Sequence, residues 1–301
     1  MSFPKLIVAA TVFAFAGSAA SLAPAQGGSP VAKAPPVAAP ATKPAPKPFA
    51  PARFSVEVVG SGPDVILIPG LTASREVWRG TVAAAPGYRY HLVQVAGFAG
   101  TAPRANAQGA VVAPLADEIA RYIQAKGLQR PAIVGHSMGG TVAMMIAARH
   151  SSRAGKVMVV DMLPEPAGLV GSSASGARGL AGALRGLSGS EGGRRLIQSA
   201  IRIFGNAEAQ ESESDPDVVA RATEELAGLD LTPELPKIQA PLTVVYASAD
   251  VNRRATADQA YKSAYAPAKG AKLVRIDGSG HMIMYDQPGK FSAALRSFLR
   301  E

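Results

Sequence analysis

The sequence predicts an α/β fold: a doubly wound, mostly parallel sheet with helices on both faces and a helical cap inserted late in the chain. Three observations carry this. Short apolar runs at Val65 to Ile68, Ala132 to Val134, Lys156 to Val160 and Leu242 to Tyr246 alternate with helix-period segments, as buried parallel strands and their crossovers do. One of these runs passes through a turn framed by glycine, Gly135-His136-Ser137-Met138-Gly139, directly into a helix. From Leu163 to about Pro241 no convincing strand is found, and such an interval is too long for a plain connection.

Residues 1 to 25 read as a secretory signal peptide. Lys5 supplies the positive start, Leu6 to Ala16 the apolar core, and Ser18-Ala19-Ala20 and Ala23-Pro24-Ala25 both fit a small-x-small cleavage site. The apolar core is shorter than the about 20 residues that a bilayer span requires. Export to the periplasm or beyond is expected, with cleavage near residue 20 or 25. Residues 26 to 53 are dominated by Pro and Ala and lack periodicity, which predicts a disordered linker.

Lys5, Lys33, Lys43, Lys47 and Arg53 precede the first acid, Glu57, and these five supply more than half of the formal charge of +9. The basic character is therefore partly a property of the tail. Membrane contact is expected only through the signal segment or this tail, and nothing resembles a nucleic-acid-binding module. Cys is absent, which excludes disulfides, a thiol nucleophile and a thiolate metal site, and only four His are present. No cofactor or metal is implied. The sequence carries no signal for oligomeric state.

Within residues 54 to 301 the elements run in order. Phe54 to Val59 alternates as an edge strand, closed by Gly60-Ser61-Gly62-Pro63. Val65 to Ile68 leads into the Pro69-Gly70-Leu71-Thr72 loop. A helix from about Ser74, its N-cap, carries Val77 and Trp78. Tyr90 to Val95 is a strand, 101 to 109 a loop, and Pro114 to Lys126 a helix burying Leu115, Ile119, Tyr122 and Ile123 and stopped by Gly127. After the Ser137 turn a helix starts at about Gly140. The strand from Lys156 ends at Asp161, and the strand from Leu242 ends near Asp250. A helix from Thr256 to Tyr265, a strand from Leu273 to Ile276, the Asp277-Gly278-Ser279-Gly280-His281 loop and a closing helix from Pro288 to Leu299 complete the chain. The strand-free interval, 163 to 241, is read as a cap; Arg194 to Phe204 and Val218 to Ala227 are its amphipathic pieces.

Gly-x-Ser-x-Gly between a strand and a helix is the pattern of a nucleophile elbow. A turn this tight strains its central residue and lifts the Ser137 hydroxyl off the sheet edge, while Cβ atoms at Gly135 or Gly139 would crowd the neighbouring backbone. The helix start places free N–H groups there, among them that of Met138, which favour an oxyanion. A serine hydroxyl needs an adjacent base, and the base a carboxylate that fixes its tautomer. With these residues the chain resembles the α/β-hydrolase superfamily over roughly residues 54 to 300, in the chain order Ser, Asp, His. The resemblance implies Ser137 as nucleophile, His281 as base, Asp250 as acid with Asp161 as the alternative acid, and the N–H groups of Leu71 and Met138 as the oxyanion hole. Pro69 stands where that family usually has His.

His136 is expected to be packed or pocket-lining, His91 and His150 structural, Trp78 packing behind the Leu71 loop, Met144 and Met145 core, Phe98 core or pocket, and Asp277 poorly placed to reach His281. The implied function is an exported serine hydrolase for an ester or thioester of a small to medium apolar acyl group. The implied partner is accordingly a small apolar ester-like molecule. An acyltransferase, a C–C bond hydrolase, an amidase or a perhydrolase fits the same scaffold, because fold does not fix reaction. A ligand-binding pseudoenzyme is the alternative from outside catalysis.

Overall fold

The computed structural model describes residues 49–170 and 214–301. The signal segment, most of the expected linker and the 194–204 piece of the expected cap lie outside the described residues. The described chain forms a seven-stranded sheet in the order β1-β3-β2-β4-β5-β6-β7. Its strands are β1 (Phe54–Gly60), β2 (Asp64–Ile68), β3 (Arg89–Val95), β4 (Ala132–His136), β5 (Lys156–Val160), β6 (Leu242–Ser248) and β7 (Lys272–Asp277). β1 pairs antiparallel to β3 at the edge, and every other pairing is parallel.

Period-2 alternation divides the strands between two apolar layers. Ile66, Ile68, Ile133, Val157, Val159 and Val244 face one layer, where α2 (Val112–Ala125) and α3 (Met138–Arg149) pack. Val65, Leu67, Val134, Met158, Val160 and Val245 face the other, where Trp78 and Phe291 pack with their rings 6.3 Å apart. Trp78 is thus packed in the core beside the closing helix. Because both faces are covered, the central strands are apolar throughout, which explains why they read as continuous apolar runs.

The first helical segment begins where the periodicity predicts, and α2 and α5 begin slightly before it. The first helical segment is a 3-10 turn, Arg75–Trp78, capped by the Ser74 hydroxyl, followed by α1 (Arg79–Ala84). α2 starts at Val112 because the Glu225 carboxylate accepts the N–H groups of Val111, Val112 and Ala113, each at 2.8 Å. Glu225 belongs to α4 (Pro216–Gly228), a helix of the expected cap, which Asp215 caps. α5 (Arg254–Ala264) follows a 3-10 turn, Val251–Arg253. A short helix, α6 (Ile283–Asp286), precedes α7 (Pro288–Arg300) and does not follow from the periodicity.

The expected linker ends sooner than residue 53. The backbone N–H groups of Ala52 and Arg53 donate to the Glu118 carboxylate at 2.9 and 2.7 Å, and the Arg53 guanidinium donates to Asn106. Glu118 and Asn106 are buried polar groups that need partners, and residues 52 and 53 supply them.

Candidate active site

Ser137 stands at the end of β4 with φ 53° and ψ −124°, a strained left-handed conformation for a residue carrying a Cβ. Its geometry is enforced by neighbours. The Ser137 N–H donates to the Val160 carbonyl, and the Ser137 carbonyl accepts from Gly140 and Thr141 as α3 begins. A Cβ at Gly135 would lie 2.0 Å from the Gly139 carbonyl oxygen, and one at Gly139 would lie 2.2 Å from that of Ile68. Both positions therefore require glycine. α3 starts at Met138, so the Met138 N–H is among the donors that a helix leaves without an intrahelical partner.

The loop after β2 lies against the same turn. A Cβ at Gly70 would sit 3.1 Å from Ser137 Cβ and 3.1 Å from His136 Nδ1. The Ala73 N–H closes a turn onto the Gly70 carbonyl, with Thr72 at φ 62°. Leu71, half-buried in this turn, is therefore carried close to Ser137.

His281 follows β7 in a loop held at several points. The Gly278 and Ser279 N–H groups donate to the Ser248 carbonyl, the Gly280 N–H to Asp286 Oδ2, and the Gln287 amide to the Gly278 carbonyl. His281 Nδ1 meets Asp161 Oδ2 at 2.7 Å. The His136 and His281 rings lie 4.7 Å apart, so the imidazole of His281 is beside the residue that precedes Ser137.

The carboxylate that meets His281 is therefore Asp161, and the expectation of Asp250 is corrected. Asp250 is exposed, and its side chain accepts the N–H groups of Asn252 and Arg253, capping the 251–253 turn. Asp161, by contrast, is buried at the end of β5 with φ 50°. Its Oδ1 accepts from the Ala247 N–H at 2.9 Å and the Tyr261 hydroxyl at 3.0 Å. Burial pushes its carboxyl pKa up, but the hydrogen bond and charge of His281 and the bonds from Ala247 and Tyr261 hold it below the usual carboxylate value. Asp161 is thus ionised and has one oxygen directed at the imidazole.

Tyr261 was not singled out in the sequence, although a buried tyrosine hydroxyl generally requires a partner. It stacks on Tyr246 with centroids 4.3 Å apart, and burial with the neighbouring Asp161 charge drives its pKa well above the ordinary value. The remaining histidines are engaged elsewhere: His91 with Tyr122 and Asp64, and His150 with Asp117. Met144, Met145 and Phe98 are core, and Asp277 pairs with Arg275 and Arg254. Among the described residues no three His, Asp or Glu side chains form a set that could hold a metal ion.

Ser137 thus stands on a strained strand-to-helix turn over a mostly parallel sheet, and an imidazole–carboxylate pair lies against the residue that precedes it. The chain belongs to the alpha/beta hydrolase family, whose profile matches residues 65–294. Curated relatives include pimeloyl-[acyl-carrier protein] methyl ester esterases of Aeromonas hydrophila subsp. hydrophila, 36% identical over 111 residues, and of Vibrio atlanticus, 34% identical over 109 residues. The match spans 36% of this chain in both cases, and only 42% and 40% of those relatives' lengths. Among solved structures, the fold is similar to that of a thermophilic esterase from Thermogutta terrifontis at a TM-score of 0.66, with 22% identity, 82% of this chain and 93% of that chain covered.

Proposed function

We propose that the protein is an exported serine hydrolase that cleaves an ester or thioester of a small to medium apolar acyl group. The observation that carries this is the 2.7 Å contact between His281 Nδ1 and Asp161 Oδ2, beside a serine held in a strained turn. Asp161 favours the tautomer with the proton on Nδ1, which leaves the Nε2 lone pair available. His281 Nε2 accepts the Ser137 proton as the hydroxyl oxygen attacks the acyl carbon. The N–H groups of Met138 and Leu71 receive the oxyanion, and one such donor is typically worth about 3 kcal/mol in the barrier. Collapse breaks the bond to the alcohol or thiol, which takes the proton from His281 and leaves an acyl group on Ser137. Water, deprotonated by the same imidazole, releases the acid. The ester-cleaving relatives support the substrate class, and the signal-like leader supports export.

The test pairs an active-site fluorophosphonate with a series of p-nitrophenyl esters of rising chain length. The wild-type protein is expected to be labelled and Ser137→Ala to be unlabelled, with turnover highest for short to medium acyl chains. Labelling that persists in Ser137→Ala removes the nucleophile assignment. Labelling of the wild type without turnover of any ester or thioester removes the substrate class.

A further inference from the structure

We infer that His136 is a positioning residue, which sets the height and orientation of His281 by donating its Nε2–H to the His281 backbone carbonyl. This rests on His281 being the base of the proposed reaction, and it assigns a function to the x of the Gly-x-Ser turn, which the elbow pattern leaves open. Three observations converge on it. His136 Nε2 lies 3.0 Å from the His281 carbonyl oxygen, across 145 residues of sequence. A carbonyl can only accept, so the proton must sit on Nε2. The two rings lie 4.7 Å apart at 47°, which makes the His136 ring a wall against which the His281 ring rests. His136 is 2% exposed, and its Nδ1 has no partner and faces Gly70, where a Cβ would come within 3.1 Å of it.

One side chain thus touches the elbow, the loop that carries Leu71 and the loop that carries His281. β4 supplies the rigidity. His136 pairs with Val160 in the parallel register, and the next residue of that neighbouring strand is Asp161. The side chain that holds the His281 backbone and the carboxylate that holds its imidazole therefore project from adjacent strand ends. The backbone carbonyl and the side-chain Nδ1 of His281 are fixed separately, and together they leave little rotation of the ring.

The choice of histidine has an electrostatic reason. A lysine donor would place a charge beside a ring that must itself become cationic during acylation. Burial, followed by the nearby His281 charge, drives the His136 pKa down to about 3, so the donor is neutral. The ionisable groups facing it are His281 and Asp161.

The experiment compares His136→Gln, which keeps an N–H donor, with His136→Phe and His136→Met, which remove it. With the p-nitrophenyl ester that the wild type cleaves best, kcat of the Phe and Met variants is expected to fall about 10- to 100-fold with KM within about twofold, since a misplacement of about 1 Å can cost about a hundredfold. His136→Gln should recover most of that loss at an equal melting temperature. Equal activity of the Gln and Phe or Met variants would overturn the donor role.

Imidazole 15N spectra of the wild-type protein supply a readout independent of turnover and of variant folding. His136 should be the Nε2–H tautomer and show no titration from pH 8 to about pH 5. A titrating or Nδ1–H ring overturns the inference even if fluorophosphonate labelling of Ser137 is normal. Absent labelling with the expected spectrum would instead count against the proposed reaction.

Discussion

Replacing Asp161 by Asn separates the two acids more sharply than any other change. Oδ1 of Asp161 is occupied by two donors, the Ala247 N–H and the Tyr261 hydroxyl, while Oδ2 faces His281 Nδ1. The Asn carbonyl must therefore stay with Ala247 and Tyr261, and its NH2 must turn towards His281. An NH2 there favours the imidazole with a bare Nδ1 and a protonated Nε2, the tautomer that cannot accept the serine proton. The loss in kcat is expected to be about ten-thousandfold, as in other Ser-His-Asp systems, or about 5.4 kcal/mol at about 1.36 kcal/mol per decade. Asp250→Asn keeps a good N-cap and should change kcat less than about twofold.

The assay is steady-state hydrolysis of one p-nitrophenyl ester by both variants and by wild type, with residual activity checked against Ser137→Ala. A larger loss in Asp250→Asn, or full activity in Asp161→Asn, would refute this reasoning. The same substitution has a signature in stability. The folded carboxyl pKa of Asp161 lies below that of the unfolded chain, near 3.9. Its contribution is therefore complete above the unfolded value and is lost as pH falls through the folded one. The wild-type urea midpoint should fall more steeply below about pH 5 than that of Asp161→Asn.

Two further outcomes concern the frame around the site. A chain starting at Phe49 should keep the melting temperature of the longer chain. One starting at Phe54 should melt lower, because Glu118 loses its two N–H donors at Ala52 and Arg53 and a buried carboxylate without partners costs about 1–3 kcal/mol or more; equal melting temperatures would show that these bonds contribute nothing. Glu225→Gln sets an NH2 group against one of the three N–H groups at the start of α2 and removes a charge that favours that helix end. It should lower the melting temperature by a few degrees to about 10 °C at about 2–4 °C per kcal/mol, and calorimetry of the variant provides the check.

The strands of this fold were legible because burial on both faces makes each one a short apolar run, and the elbow was legible because its glycines have no substitute. The choice of acid was not. Two strands are followed closely by an aspartate, Asp161 directly after β5 and Asp250 two residues past β6, and sequence position alone favoured the later one. What decides between them is which N–H groups each carboxylate meets. For Asp250 a local signal existed: with the helical segment beginning at Val251 instead of Thr256, Asp250 falls at the N-cap, where Asp is a preferred residue. For Asp161 the partners are Ala247, Tyr261 and His281, all far along the chain, so no local pattern could reveal them. The early start of α2 was hidden for the same reason, since its capping carboxylate lies more than a hundred residues away.

The path of the histidine loop explains why the acid on β5 is reached and the one after β6 is not. β7 lies at the sheet edge, two strands from β5, so the chain that carries His281 must cross the end of β6 to approach Ser137. It crosses at Ser248, whose carbonyl accepts both the Gly278 and Ser279 N–H groups. Ser248 is the last residue of β6, so by Asp250 the β6 chain has passed the crossing point. There the Asp250 carbonyl accepts from the Ser248 hydroxyl and its carboxylate caps the next turn. Beyond the crossing, the strand end that the imidazole meets is that of β5. Asp161 waits there in a left-handed conformation, with its N–H bonded to Val245 and its Oδ1 bonded to Ala247, both on the intervening strand. β6 is thus the support on which the Asp161 carboxylate is oriented, and the His281 loop reaches across it to meet that carboxylate.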